Sequence, residues 1–120
     1  MQIQAITLYG ISNCDTVKRA RAWLISQGLS YQFHDFKKQG VPEQQLDAWI
    51  VSLGWESLLN RKGTMWRRLD DSTRASVTDA ASARALMLAQ PSVIKRPVMQ
   101  WADGQVSVGF NDAHWRSRIG

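Results

Sequence analysis

Apolar and β-branched side chains crowd residues 3–9, and this mixture predicts a strand. Gly10 to Asn13 has turn chemistry. Beyond it Val17, Ala20 and Leu24 recur at i, i+3 and i+7, with Trp23 beside them. That period predicts an amphipathic helix, and Gly28 is its natural stop. Residues 30–36 alternate polar and aromatic, which predicts a second strand with Tyr31, Phe33 and Asp35 on one face. Lys37 to Gly40 reads as a polar loop.

Pro42 suits a helix start, where a missing N–H costs nothing. Leu46, Trp49, Ile50 and Leu53 then repeat at helical spacing up to Gly54. Trp55 to Asn60 predicts a short helical turn. Residues 60–69 begin as a basic loop, with Thr64 as the cap of a short helix. Thr78 or Asp79 caps a longer helix carrying Ala83, Leu86 and Met87, and Pro91 stops it. Val93 to Trp101 predicts a strand entered through Pro97, Ala102-Asp103-Gly104 a hairpin turn, and Gln105 to Phe110 the returning strand. Asn111 or Asp112 caps a final short helix with His114, Trp115 and Arg118.

The order is β-α-β, several helices, a hairpin and a closing helix. A strand–helix–strand unit predicts a right-handed crossover and a parallel pair. The hairpin adds an antiparallel pair, so the expected class is α/β with a mixed sheet and helices packed on it. One domain is expected over 1–120, since 120 residues can bury roughly two-thirds of their unfolded surface.

Composition changes this picture little. With 44% hydrophobic and 21% charged residues the chain is globular. No run of 18 apolar residues or signal-peptide pattern is present, so a cytoplasmic location is expected. The net charge of +5 does matter, because it is uneven. Residues 1–60 carry five basic and five acidic side chains, and 61–120 carry ten and five. Arg61, Lys62, Arg67 and Arg68 form one cluster, Lys95 and Arg96 a second, Arg116 and Arg118 a third. This balance suits an anionic partner. A charge run is more often a solvated face, so nucleic acid is not the expected partner.

The single cysteine, Cys14, stands where the first turn becomes the first helix. One cysteine excludes an internal disulfide, and no zinc spacing exists, so no metal is expected. A thiol at a helix N-terminus faces unpaired N–H groups and the positive end of the helix dipole. Both favour thiolate over thiol, whose free pKa is about 8.5. Thr16 and the N–H groups after Cys14 are placed to hold the thiolate, with Lys18 one turn along. Asp15 is read as a cap of the helix start. A cysteine-phosphatase cradle needs C-x5-R, but position 20 is Ala and the arginines fall at 19 and 21. His34 is read as a half-buried polar residue, and Trp49 and Met87 as core.

Four segments together resemble the ArsC-like family: Leu8 to Arg19 around Cys14, Leu58 to Leu69, Ile94-Lys-Arg-Pro-Val98, and Val108-Gly-Phe110. The resemblance implies a thioredoxin-like fold, a mixed four-stranded sheet with flanking helices and a helical insertion over about 41–90. It is similar to the subgroup of glutathione-dependent thiol reductases, with Spx-type regulators as relatives. It implies that Cys14 is the nucleophile, that Arg96 belongs to the anion-binding set, and that Pro97 is a cis-proline flanking the thiol. The expected substrate-binding residues are Asn13, Thr16, Lys18, Arg61, Arg96 and Pro97. The family's arginine in the loop after the insertion helices falls near Asn60 or Arg61.

The expected reaction is thiol–disulfide reduction. Cys14 forms a mixed disulfide that an external thiol must resolve. Glutathione is the expected cosubstrate, a glutaredoxin the expected protein donor, and a small-molecule or protein disulfide the substrate. A monomer is expected, with no membrane partner. Arsenate reduction of the glutaredoxin-linked type, or a non-catalytic Spx-like regulator, are the alternatives. Arsenate reductases of the family carry a late hairpin arginine where this chain has Gly109, and a two-cysteine switch needs a cysteine where this chain has Val17.

Overall fold

The computed structural model describes residues 6–119, so residues 3–5 of the first predicted strand lie outside the described residues. The chain divides into two units: the residues up to Asp35 together with those from Arg96 onward, and Phe36–Lys95.

In the first unit, β1 is Ile6–Gly10 and α1 is Asp15–Ser26. Gly10 belongs to the strand, and the turn is confined to Ser12 and Asn13. The reason is steric: a Cβ on Gly10 would stand 2.8 Å from Val17 Cγ2. Glycine therefore lets the strand end and α1 approach. Val17, Ala20, Trp23 and Leu24 are the buried stripe of α1, as the period predicts. The helix ends with Gly28 at φ +71°, whose N–H donates to the Ile25 carbonyl while Leu29 N–H reaches that of Leu24, both at 3.0 Å. This is the left-handed glycine cap.

β2 (Tyr31–Asp35) runs parallel to β1, with Ile6 opposite Tyr31 and Gly10 opposite Asp35. β3 (Val98–Gln100) pairs antiparallel with β1, and β4 (Val106–Val108) antiparallel with β3. The sheet is mixed, in order β2-β1-β3-β4. β3 starts only after Pro97, later than the predicted 93–101, because Pro91–Val93 forms a 3-10 turn and Pro97 has no N–H for a ladder. β4 is also shorter than predicted. Gln105 is used by the turn, where Trp101 N–H donates to its carbonyl at 2.8 Å, and Gly109 at φ +84° ends the strand.

The closing helix α8 is Asp112–Ile119. Asn111 caps it, its Oδ1 accepting His114 N–H at 2.9 Å. Trp115 of α8 is fully buried, edge-on to Trp23, Trp101 and Phe110 at centroid distances of 5.6, 5.2 and 4.7 Å. With Ile6, Leu8, Val17, Ala20, Leu24 and Met99 these rings make one core. Edge-to-face geometry adds to the area term for such rings.

The second unit is helical: α2 (Phe36–Gln39), α3 (Glu43–Leu53), α4 (Trp55–Leu58), α5 (Thr64–Arg68), α6 (Asp71–Ala75) and α7 (Ala80–Ala89). Three details differ from the sequence reading. Lys37 to Gly40 is largely a helical turn, closed by Gly40 N–H on the Phe36 carbonyl at 3.0 Å. Gly63, not Thr64, is the N-cap of α5. A further helix, α6, is capped by Asp70, which accepts Thr73 N–H at 2.7 Å. Asp79 makes a capping box with Ser82 on α7. Leu46, Trp49, Leu58, Ala83 and Met87 are buried in this unit, and Arg84 ties α7 to Asp47 and Glu43 of α3 at 2.6 and 3.2 Å.

Candidate thiol site

Cys14 is the N-cap of α1, with φ −101° and ψ 126°, extended backbone just before the helix turns in. Its carbonyl takes the first helical bond, from Lys18 N–H at 2.9 Å, and its own N–H donates to the Ile11 carbonyl at 3.3 Å. The backbone on both sides is thus fixed, and the side chain is aimed by it. Cys14 is half-buried and packs, with Phe33 and Phe110, on the edge of the aromatic core.

No close side-chain cap is formed, as expected of a neutral thiol. Instead the sulfur lies in reach of the Val17 and Thr16 N–H groups and of the Arg96 side chain. Such contacts strengthen when the acceptor is charged. Partial burial pushes the thiol up. The Val17 N–H, the hydrogen bond and charge of Arg96, and the Thr16 N–H outweigh it, and the net direction is down from the ordinary thiol value. Arg96 precedes Pro97 through a cis peptide bond, and the Pro97 carbonyl accepts Gly109 N–H at 2.8 Å. That bond ties the segment carrying Arg96 to the end of the hairpin.

The predicted residues therefore divide. Cys14, Thr16 and Arg96 come together, with Pro97 next in the chain. Thr16 contributes its backbone N–H to the sulfur, while its hydroxyl accepts from Arg19 Nη2 at 3.4 Å. Asn13 and Lys18 are exposed on either side of the thiol in sequence. Arg61 belongs to the second unit, where it pairs with Glu56 at 3.6 Å and lies 5.4 Å from the Trp55 ring centroid. Arg61, Lys62 and Lys95 line an open pocket there with Asn60 and Ser57. The Leu59–Ile94 bridge and the Lys95 N–H bond to the Leu58 carbonyl, at 2.7 Å, bring these cations together.

Of the N–H groups after Cys14 that the sequence placed at the thiolate, the leading stabiliser is that of Val17, which the sequence reading did not single out. Its signal was its place, three residues after the N-cap, where a free helical N–H always points at the cap side chain. His34 lies 5.1 Å from Tyr9, ring to ring. Among the described residues no group of three or more His, Cys, Asp or Glu could hold a metal ion, and no helix is long and apolar enough to cross a membrane.

A mixed sheet with a half-buried cysteine at the first strand–helix turn, facing a cis-proline segment, defines a thioredoxin-like protein with one thiol. Residues 9–118 match the ArsC family, and the chain belongs to it. Among solved structures, the YFFB protein superposes with a TM-score of 0.90 at 43% identity, covering 97% of this chain and 100% of that one. An arsenate reductase (ArsC) related protein from Brucella melitensis gives 0.75 at 48% identity, covering 99% and 98%. A curated Haemophilus influenzae protein is 36% identical over 93% of this chain and 96% of its own length. The global transcriptional regulator Spx of Streptococcus pyogenes is 25% identical over 93% of this chain and 83% of its own length.

Proposed function

We propose that the chain is a glutathione-dependent thiol–disulfide reductase with Cys14 as its single nucleophile. The observation that carries this reading is the convergence of Val17 N–H, Thr16 N–H and Arg96 on the Cys14 sulfur, which lowers its pKa. The thiolate is the attacking species, and a thiol whose pKa lies near ambient pH is the best attacker. Membership of a family with arsenate reductase relatives supports a redox thiol rather than an inert one.

The cycle balances with two thiols. Cys14 thiolate attacks the glutathione sulfur of a mixed disulfide, and the substrate leaves as its thiolate. Cys14 is then disulfide-bonded to glutathione. A second glutathione thiolate, or a glutaredoxin, attacks that glutathione sulfur, and Cys14 leaves as thiolate. Per turn, one substrate–glutathione disulfide and one free glutathione become the substrate thiol and glutathione disulfide; when a glutaredoxin thiolate attacks instead, it leaves carrying the glutathione as its own mixed disulfide. Arg96 suits a glutathione carboxylate when it releases the sulfur, and Asn13, Lys18 and Pro97 are proposed as further substrate contacts. Arg61 has its own cation-lined pocket, and Arg61→Ala tests whether the KM for glutathione depends on it.

Hydroxyethyl disulfide reduction by glutathione, coupled to glutathione reductase, tests the reading. Turnover by the parent and none by Cys14→Ser supports it. Equal turnover by Cys14→Ser sinks it. The Spx relationship favours a second reading, a protein-binding regulator that needs no reactive thiol; a Cys14 that titrates like a free cysteine would favour that one. The single cysteine argues against a two-cysteine switch, since Val17 is a wholly buried valine.

A further inference from the structure

Cys14 continues into a surface stripe on α1. Residues 14, 18, 22 and 25 stand at i, i+4, i+8 and i+11, one line along a helix. They are Cys14, Lys18, Ala22 and Ile25, and the last three are exposed. Ile25 is 67% exposed, one of two large hydrophobics so exposed among the described residues. A scattered exposed isoleucine means little. This one shares a line with the nucleophile, about 16 Å away at 1.5 Å per residue.

Cations flank the line. Arg19 leans toward the thiol end, bonded to Thr16 Oγ1 at 3.4 Å. Arg21 lies on the other side, its Nε donating to Tyr31 Oη at 2.9 Å and its guanidinium 4.3 Å from the Phe33 ring centroid. Phe33 and Tyr31 pack against the core on which Cys14 also rests, with Tyr31 opposite Ile6 at the start of β1, far along α1 from the thiol. The helix carries three cations against one anion, Asp15. A protein patch of ordinary size, about 800 Å² on one partner, is wide enough to cover both Cys14 and Ile25.

We propose that this face of α1 docks the protein disulfide that Cys14 attacks, one whose reacting cysteine is flanked by acidic and apolar residues. The proposal rests on the reading of Cys14 as a thiol–disulfide nucleophile. Charge complementarity chooses an acidic partner, and acts chiefly by speeding encounter. Ile25 supplies an apolar contact more than two helical turns from the chemistry, so recognition and reaction sit on one face.

The probes are two eleven-residue peptides, each with a central cysteine joined to thionitrobenzoate. One has alternating Glu and Leu on both sides, the other Lys and Leu. Five extended residues reach about 17 Å, enough to pass from Cys14 to Ile25. Cys14 thiolate attacks the peptide sulfur, forms the Cys14–peptide disulfide and expels the coloured thionitrobenzoate anion. Rates are divided by the rate with neutral hydroxyethyl disulfide. The acidic peptide is expected to react about tenfold faster at low salt, and the preference to shrink as salt is raised. Ala22→Glu/Ile25→Glu, placed away from the thiol, is expected to cut the acidic-to-basic ratio by about threefold or more. A smaller cut, or no acidic preference in the parent, overturns the docking face. Failure of the parent to react even with hydroxyethyl disulfide overturns the underlying reading instead.

Discussion

The Arg96 side chain hydrogen-bonds the Cys14 sulfur, joining the start of α1 to the segment that leads into β3. Neither residue is a neighbour of the other in sequence. The sheet makes the pair: β3 lies directly beside β1, so what precedes β3 arrives where β1 ends and α1 begins. The guanidinium brings both a donor and a full charge to the thiolate, and cannot itself deprotonate.

Arg96→Gln removes the charge and keeps a donor. Alkylation of Cys14 by iodoacetamide, followed across pH, is expected to shift its midpoint upward, and the rate at pH 7 to fall by about threefold or more. Arg96→Lys should fall between. An unshifted midpoint would leave the helix N–H groups as the whole cause.

The lowered thiol pKa also has a consequence for stability. Folding favours the ionised form, so Cys14 contributes stability above its unfolded pKa, about 8.5, and loses that contribution as pH falls through the folded value. Urea unfolding of the parent and of Cys14→Ser at several pH values checks the sign. The stability difference should rise with pH between the folded midpoint and about 8.5, and be flat above it.

Gly10 and Val17 make a second testable contact. A Cβ at Gly10 meets Val17 Cγ2 at 2.8 Å, and valine is too stiff at χ1 to swing aside. Gly10→Ala is expected to lose about 1–3 kcal/mol in urea unfolding. Adding Val17→Ala should recover part of that loss, and a strictly additive double variant would contradict the contact.

Trp115 is wholly buried among Trp23, Trp101 and Phe110. Trp115→Ala should cost about 3–5 kcal/mol. Cys14 rests on the same cluster, so the thiol midpoint in this variant reports how far the core sets the site's geometry.

Arsenate is expected to be a poor substrate. Gly109 presents no side chain, and its φ of +84° resists one. Gly109→Arg should therefore lose about 1 kcal/mol or more of stability. Arsenate-dependent oxidation of glutathione by the parent, at rates matching hydroxyethyl disulfide, would contradict this.

The sheet and its site were legible where local chemistry decides. The Val17–Ala20–Leu24 period, Gly28, the Asp103-Gly104 turn and the β-α-β order each had one physical meaning, and each is found. Cys14 was legible as the start of the helix by its place after Ser12-Asn13, but the cap was read at Asp15. Cys14 is the N-cap and Asp15 the first helical residue, because the backbone turns helical only after Cys14. Strand ends were not, because pairing sets them: Val93 to Lys95 has strand-like residues but forms a 3-10 turn and one bridge to Leu59. Gly10 looked like turn chemistry because its cause, the Val17 side chain, lies seven residues on. α6 was hidden since its short helix buries no residue and shows no apolar stripe, although Asp70 followed by Thr73 is a cap in plain view. The pairing of Arg96 with Cys14 came from family resemblance, since no local pattern connects them.

The most direct measurement is the intact mass of the protein after exposure to oxidised glutathione and then to reduced glutathione. A single glutathione adduct on Cys14, formed at neutral pH and removed by the reduced thiol, is the predicted result. No adduct at neutral pH, or one that glutathione cannot remove, would contradict the monothiol cycle.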